Sequence, residues 1–264
     1  MYGFNYQAPS SLAEALAAIL SAEDGKLLAG GMTLIPTLKQ RLAQPSDLVD
    51  LAKLPELKGI SRDAGSVTIG AMTTHAEVAA SADVTSAIPA LAALAGNIGD
   101  AQVRHRGTIG GSICNNDPAA DYPSALVALG ATVRTNSREL AAEDFFTGMF
   151  ETALEPGEIV TAVNFPIPDQ AAYMKFPNPA SRYAVVGVFV ARTAEGVRVA
   201  VTGAGPAVFR LPEFEQALDA RFAPDSVAGL KIEADDLNSD IHASAEYRAH
   251  LVTVMAKRAV ASLI

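Results

Sequence analysis

Apolar positions recur at helical spacing early in the chain. Leu12, Ala15, Leu16, Ile19 and Leu20 share one face of a helix predicted over 10–21, with Ser10 and Ser11 as candidate N-caps. Residues 26–29, Lys-Leu-Leu-Ala, read as a short buried strand that runs straight into Gly30-Gly31. Helical spacing returns over 34–42 through Leu34, Ile35, Leu38 and Leu42, and 47–51 reads as another short strand. Helix, strand, glycine turn, helix, strand predicts a small α/β unit with parallel pairing.

A second unit begins near Leu54. Residues 57–60 and 67–69 read as strands paired around the turn Asp63-Ala-Gly65. Thr74 is placed to cap a short helix to residue 80, and 88–94 predicts another. The stretch 96–121 is rich in Gly, Asn, Asp and Arg and has no periodicity, so it reads as a long loop, a feature that is usually functional or disordered. A helix over 124–129 and strands over 131–134 and 158–165 follow. Pro166-Ile-Pro168-Asp169 reads as a linker. Beyond it, 185–192 and 197–202 form a predicted hairpin around Ala194-Glu-Gly196, and helices are expected over 213–220 and 245–263. No internal repeat is visible.

Composition narrows the chemistry. Half of the 264 residues are hydrophobic and 19% are charged, a globular balance. The net charge of −9 argues against nucleic acid as a partner. One cysteine allows no internal disulfide and no four-cysteine iron–sulfur or zinc site. His75, His105, His242 and His250 show no metal spacing. Residues 1–7 lack a secretory pattern, and the apolar stretches 87–95 and 183–191 are too short to span a bilayer. The cytoplasm is the expected compartment.

Two glycine segments carry the candidate chemistry. Ala29-Gly30-Gly31-Met32-Thr33 lies between a strand and a helix, and Thr108-Ile109-Gly110-Gly111-Ser112 repeats the chemistry. Adjacent glycines admit positive φ and leave no Cβ against a ligand, and successive N–H groups make an anion-binding concavity. As a pair they suit a dinucleotide pyrophosphate, held by main-chain donors from both sides. Arg104 and Arg106 either add positive potential or are solvated. No Gly-x-x-x-x-Gly-Lys-Ser/Thr run is present, and Gly203-Ala-Gly205-Pro206 reads as a structural turn, because Pro206 removes an N–H that a phosphate would need. Cys114 is either a reactive thiol or a small buried apolar group.

These segments resemble the two FAD-binding signatures of the flavoprotein (medium) subunit of molybdenum hydroxylases, the carbon monoxide dehydrogenase and xanthine dehydrogenase family. Ile69-Gly-Ala-Met-Thr-Thr74, Asn116-Asp-Pro-Ala-Ala-Asp121, Glu155-Pro-Gly-Glu-Ile159 and Ala245-Glu-Tyr-Arg248 with Lys257-Arg-Ala-Val260 extend the similarity over nearly the whole chain. The resemblance implies an α+β fold: a two-subdomain FAD-binding domain of the p-cresol methylhydroxylase type over 1–168, divided near 53 and 54, then a C-terminal domain over 169–264 with a small antiparallel sheet and helices. It implies that residues 29–33 and 108–112 hold the pyrophosphate, and that Asp121 bonds a polar part of the cofactor. Ile98 would lie against the cofactor, Val160 would meet it through its backbone, and Lys175 would stand nearby. Residue by residue the alternatives are a helix cap for Asp121, ordinary core for Ile98 and Val160, and a surface charge for Lys175. Many relatives carry His at the position of Met32 and Asn at that of Ser112.

The implied function is electron transfer through non-covalent FAD, with no acid–base catalytic pair and no metal on this chain. The molybdenum cofactor and [2Fe–2S] clusters would sit on a large and a small partner chain, in a dimer of heterotrimers. A self-contained flavin oxidase or reductase on the same fold is the alternative.

Overall fold

The computed structural model describes residues 1–264. Its first part contains β1 (Asn5–Gln7), α1 (Leu12–Ser21), β2 (Gly25–Leu28), α2 (Leu34–Lys39) and β3 (Asp47–Asp50), with all pairings parallel in the order β1-β3-β2. Ser11 caps α1 by accepting the Glu14 N–H, and Glu14 returns to the Ser10 N–H at 2.8 Å. Ala15 and Ala18 bury against the sheet with Val49, Leu51, Leu54 and Leu57. Met72 and Ile159 complete this core from later in the chain, which ties the first part to the second. Helix α2 stops at Lys39 rather than 42, and Arg41 takes a left-handed φ of 60° just beyond it.

The second part is a five-stranded antiparallel sheet covered by short helices. It contains β4 (Ile60–Arg62), β5 (Ser66–Gly70), α3 (His75–Ala80), α4 (Ala82–Ala87), α5 (Pro89–Gly96), α6 (Ala101–Arg104), α7 (Ile109–Asn115) and α8 (Tyr122–Leu129). Strands β6 (Thr132–Thr135) and β7 (Glu139–Ala141), helix α9 (Ala142–Phe145), the ribbon β8 (Phe146–Gly148) and β9 (Glu151–Thr152), and β10 (Val160–Pro166) follow. The sheet order is β4-β5-β10-β6-β7. Asp63 closes the first turn by accepting the N–H groups of Gly65 and Ser66. Thr74 and Glu77 form a full capping box on α3.

Two sequence expectations are corrected here. The strand expected over 57–60 starts only at Ile60, because Leu57 closes a 3-10 turn and buries its side chain in the first core, while Gly59 turns the backbone at φ 103°. The loop expected over 96–121 contains α6 and α7. Each is too short to show an amphipathic repeat, and two glycines inside α7 mask it further. Their caps are legible afterwards: Asp100 accepts from Val103 and Thr108 from Gly111.

The third part is the antiparallel sheet β11 (Gln170–Pro177), β12 (Ala184–Thr193), β13 (Gly196–Thr202) and β14 (Phe209–Arg210), with helices α10 (Pro212–Ala220) and α11 (Ala245–Ala261). β12 is buried on both faces. Val186, Val188 and Val190 join the core with α10 and α11, whereas Phe189 and Ala191 join the core that contains α8. Helix α8 is buried at every position and forms the layer between the two sheets. Arg248 of α11 is buried and donates to the Val185 and Gly203 carbonyls and to Asp240. The Gly203 turn is structural: its φ is 82°, and its N–H goes to the Pro118 carbonyl.

Glu158 locks the turn before β10. Its side chain is 3% exposed and accepts from Arg138 Nε and Nη2, Thr135 Oγ1, Ser137 Oγ and the Glu155 N–H. The Arg138 hydrogen bonds first, and the others with them, hold the carboxyl down at about 2 against its ordinary 4.5. A lowered folded value means this stability is complete above about 4.5 and drains as pH falls toward 2. Glu158→Gln is expected to cost about 2 kcal/mol at neutral pH and much less near pH 3. Urea unfolding at both pH values checks this, and an equal loss at both removes the carboxylate charge as the cause.

Candidate functional site

A cleft of about 520 Å³ opens where the three parts meet. Its first wall is built at the end of β2. Gly31 turns the chain with φ 74°, and residues 29–33 then run into α2. The N–H groups of Gly30, Gly31, Met32 and Thr33 donate to no acceptor in the chain. Four successive unpaired amides facing a cleft are an anion-binding nest. Thr33 extends the wall toward Tyr183 of the third part.

The second wall starts at Gly107 and enters α7. It is stitched to the 71–75 segment: the Ile109 N–H donates to the Thr73 carbonyl, the Gly110 N–H to that of Ala71, and the His75 N–H to that of Gly107. The Gly111 N–H is taken by Thr108 Oγ1 at 3.1 Å. The two glycine segments therefore differ in how many main-chain donors they leave free: four in the first, and in the second the Thr108 N–H, which has no acceptor in the chain. The first offers free amides. The second offers a surface without Cβ atoms, and with it the Ser112 and Asn115 side chains, which have no partner in the chain.

The segments touch. A Cβ placed on Gly30 would fall 2.0 Å from the Arg106 carbonyl oxygen, and one on Gly111 would fall 3.4 Å from the Ala29 Cβ. A side chain at Gly110 would meet Ala71 at 2.7 Å. Glycine at 30 and 110 is thus required by close backbone approach.

Electrostatics divides the cleft. At one end stands Asp121, whose side chain is 4% exposed and whose two oxygens lie 3.0 Å from the Lys175 Nζ. Burial raises its pKa; the Lys175 charge and the Tyr173 hydroxyl work against that rise. Asp117 is raised by burial too, with the Ala119 N–H opposing. His75 lines the wall, and its Nδ1 is buried without a partner. Burial, then the Arg104 charge, pulls its imidazole down to about 4, so the ring is neutral at pH 7. Burial pushes the Cys114 thiol up to about 12, so it is not a thiolate nucleophile.

The predicted site residues fall as follows. Ala29, Gly30, Gly31, Met32, Thr33, Ile98, Thr108, Gly110, Gly111, Ser112, Asp121 and Val160 all line the cleft. Ile109 does not; it is wholly buried in the core under α7. Lys175 stands behind Asp121, on an adjoining polar cavity. Asp121 occupies the cap position of α8 but makes no capping bond there. The side chain of Arg104 turns away to the Ile98 and Gly99 carbonyls, and His105 to the Ala101 carbonyl, so neither lines the cleft. Sequence reasoning missed His75, Ser181, Arg182 and Tyr183 as cleft residues. His75 had a signal in the Thr74 cap that starts its helix. The 181–183 loop had none.

A cleft with a nest of free amides opposite a Cβ-free wall defines a protein that holds a phosphate-bridged cofactor. The comparisons carry this further. Residues 2–168 match the family described as FAD binding domain in molybdopterin dehydrogenase, and residues 171–263 match the CO dehydrogenase flavoprotein C-terminal domain. The chain is 36% identical to the nicotine 6-hydroxylase medium subunit of Paenarthrobacter nicotinovorans, over 97% of this chain and 95% of that one. It is also 36% identical to the carbon monoxide dehydrogenase medium chain of Afipia carboxidovorans, over the same shares. Reconstituted CO dehydrogenase from Oligotropha carboxidovorans superposes with a TM-score of 0.92 at 33% identity, covering 98% of this chain and 97% of that chain. The chain belongs to the FAD-binding medium subunits of the molybdopterin dehydrogenases, the carbon monoxide dehydrogenase and xanthine dehydrogenase family, and is a flavoprotein subunit of an oxidoreductase.

The residues present fit FAD. The free amides of 30–33 suit its pyrophosphate, and the unpartnered Ser112 hydroxyl and Asn115 amide add polar contacts. The orphaned His75 Nδ1 gives the wall one more unpaired polar atom. Leu27, Leu34, Leu51 and Ile159 supply apolar surface for a ring. No helix is long and apolar enough to cross a membrane, and no cluster of three or more His, Cys, Asp or Glu side chains is placed to hold a metal ion.

Proposed function

We propose that this chain holds one FAD non-covalently in the cleft and acts as the electron-transfer subunit of a molybdenum hydroxylase. In this reading a small partner chain carries [2Fe–2S] clusters that deliver electrons, a large partner carries the molybdenum cofactor where substrate reacts, and an external acceptor takes the electrons away. The subunits assemble as a dimer of heterotrimers. The names of the relatives, medium subunit and medium chain, support a place among larger and smaller partners. A single cysteine supports clusters held elsewhere.

The observation that carries the proposal is the nest of four unpaired amides at 30–33, pressed against a wall that begins at Gly107. Bound FAD supplies a ring that accepts and releases electrons singly or in pairs. The chain supplies the rest. Gly30 to Thr33 bind the anionic bridge, Gly110 and Gly111 keep the opposite wall thin, and Asp121 offers a carboxylate at one end. The neutral His75 adds no charge beside the bridge. As the family resemblance implies, Ile98 lies against the cofactor and Val160 meets it through its backbone, with Lys175 standing nearby behind Asp121.

The test is a titration of the purified chain with FAD, followed by absorbance and by flavin fluorescence. About one FAD per chain, released by acid precipitation, is expected. A chain that stays colourless in excess FAD overturns the proposal, and flavin that stays attached after precipitation overturns its non-covalent part.

A further inference from the structure

The buried Asp121–Lys175 pair has a third member. The Tyr173 hydroxyl donates to Asp121 Oδ1 at 2.5 Å, and it has no other partner in the chain. Tyr173 and Lys175 are alternate residues of β11, so both side chains leave the same face of the strand. Together they line a polar cavity of about 530 Å³ that adjoins the cleft, while Asp121 lines the cleft itself. The three groups thus form a wall between two cavities.

The fold makes room for that hydroxyl. In the sheet Lys175 pairs with Gly187, and Tyr173 pairs with Phe189. A Cβ on Gly187 would fall 2.3 Å from the Tyr173 Oη and 2.9 Å from its Cε2. β12 therefore omits a side chain in the middle of a buried run, and the hydroxyl fills the space. The Tyr173 ring stacks on Phe189 with centroids 6.1 Å apart. A phenol fixed by a ring stack and by a missing side chain is placed to make one bond.

A carboxylate has about four acceptor sites. Lys175 and Tyr173 leave part of that capacity unused, and Asp121 is one of the residues that line the cleft. We propose that Tyr173 is a positioning residue: its hydroxyl holds Asp121 as a charged acceptor aimed into the cleft, where it takes a hydrogen bond from a donor group of the bound cofactor. This rests on the flavin reading above. The titratable groups around Asp121 are Lys175 and Tyr173 from β11, Tyr122 on its own helix with the His75 ring of α3 against it, and Tyr183 from the loop before β12, on which Asp117 acts as well.

Tyr173→Phe keeps the ring and deletes the donor. A donor to a carboxylate favours its charged form, so without it Asp121 takes up a proton at higher pH. The dissociation constant for FAD is measured on the full chain between about pH 6 and about pH 8.5. Tyr173→Phe is expected to match wild type within about twofold at the upper end and to bind more weakly toward the lower end, by at most the roughly tenfold that a one-unit rise in the Asp121 pKa allows. Gly187→Ala, which displaces the same hydroxyl, is expected to follow the same profile. A profile identical to wild type overturns the proposal, and so does an equal loss at every pH, which marks a role in packing alone. The Asp121 carboxyl carbon resonance, assigned by its loss in Asp121→Asn, is followed in parallel without FAD. It is expected to titrate at higher pH in Tyr173→Phe, and an unmoved titration overturns the proposal whatever the flavin does. Wild-type chain that binds no FAD overturns the flavin reading instead.

Discussion

Gly30→Ala is expected to weaken FAD binding about 100-fold and to lower the melting temperature by roughly 10 °C. The added Cβ would lie 2.0 Å from the Arg106 carbonyl oxygen, 2.7 Å from its carbon and 2.8 Å from the Gly107 Cα. All three atoms are backbone, so no rotamer change relieves the contact. The two glycine segments must separate, or one must distort. Overpacking of this kind costs about 3 kcal/mol, which for a chain of this size is a shift of roughly 10 °C. Separation also moves the amides of 30–33 away from the opposite wall. Losing two charge-assisted hydrogen bonds to the pyrophosphate weakens FAD about 100-fold. Gly229→Ala is the control, since nothing lies within 4 Å of a Cβ there. Thermal melts and FAD titration of the two variants read both effects. A Gly30→Ala chain that melts and binds like Gly229→Ala would show that the approach of the segments is not rigid.

The reason Gly30 could be singled out at the start is that its chemistry is local. A double glycine between an apolar strand and a helical run is visible in a single window of residues. So are the Thr74 capping box and the apolar runs of β12 and β13 on either side of the Ala194-Glu-Gly196 turn. Their side chains act on neighbours close in sequence, and pattern records that. The unequal roles of the two glycine segments were not visible. That difference depends on which carbonyls meet the 109–111 amides, and those belong to Ala71 and Thr73 across the fold. Helices α6 and α7 were hidden because four and seven residues cannot display a face. Strand β11 was missed because its burial alternates weakly: Ala172 is buried while its neighbours are half-exposed. Tyr173 had no signal of its own. Its meaning comes from a glycine on the next strand and a carboxylate 52 positions earlier.

Lys175→Met is expected to be the most damaging single change at the charged end of the cleft, and its damage should depend on pH. Lys175 is 8% exposed and Asp121 is 4% exposed, so neither charge is well hydrated. Deleting the cation leaves a buried carboxylate with only the Tyr173 hydroxyl as donor. Breaking a buried pair from one side costs about 3–5 kcal/mol. The sign with pH follows from Asp121. Burial already lifts its folded pKa above the open-chain value, and Lys175 is the largest influence opposing that rise. Without Lys175 the folded value climbs further. A group raised on folding keeps its stability below the unfolded value and loses it as pH rises through the folded value. Lys175→Met should therefore lie nearest to wild type in acid and fall away toward pH 8, as read by urea midpoints across that range. Adding Asp121→Asn to Lys175→Met removes the stranded charge, and it should flatten the pH dependence and recover most of the loss. Tyr173→Phe acts on the same carboxylate by taking away a neutral donor, so its effect on stability should be the smaller one and its effect on FAD the more selective. If the Lys175→Met loss were constant with pH and unrelieved by Asp121→Asn, the lysine would be serving as packing, and the carboxylate would owe its charge to something other than the cation beside it.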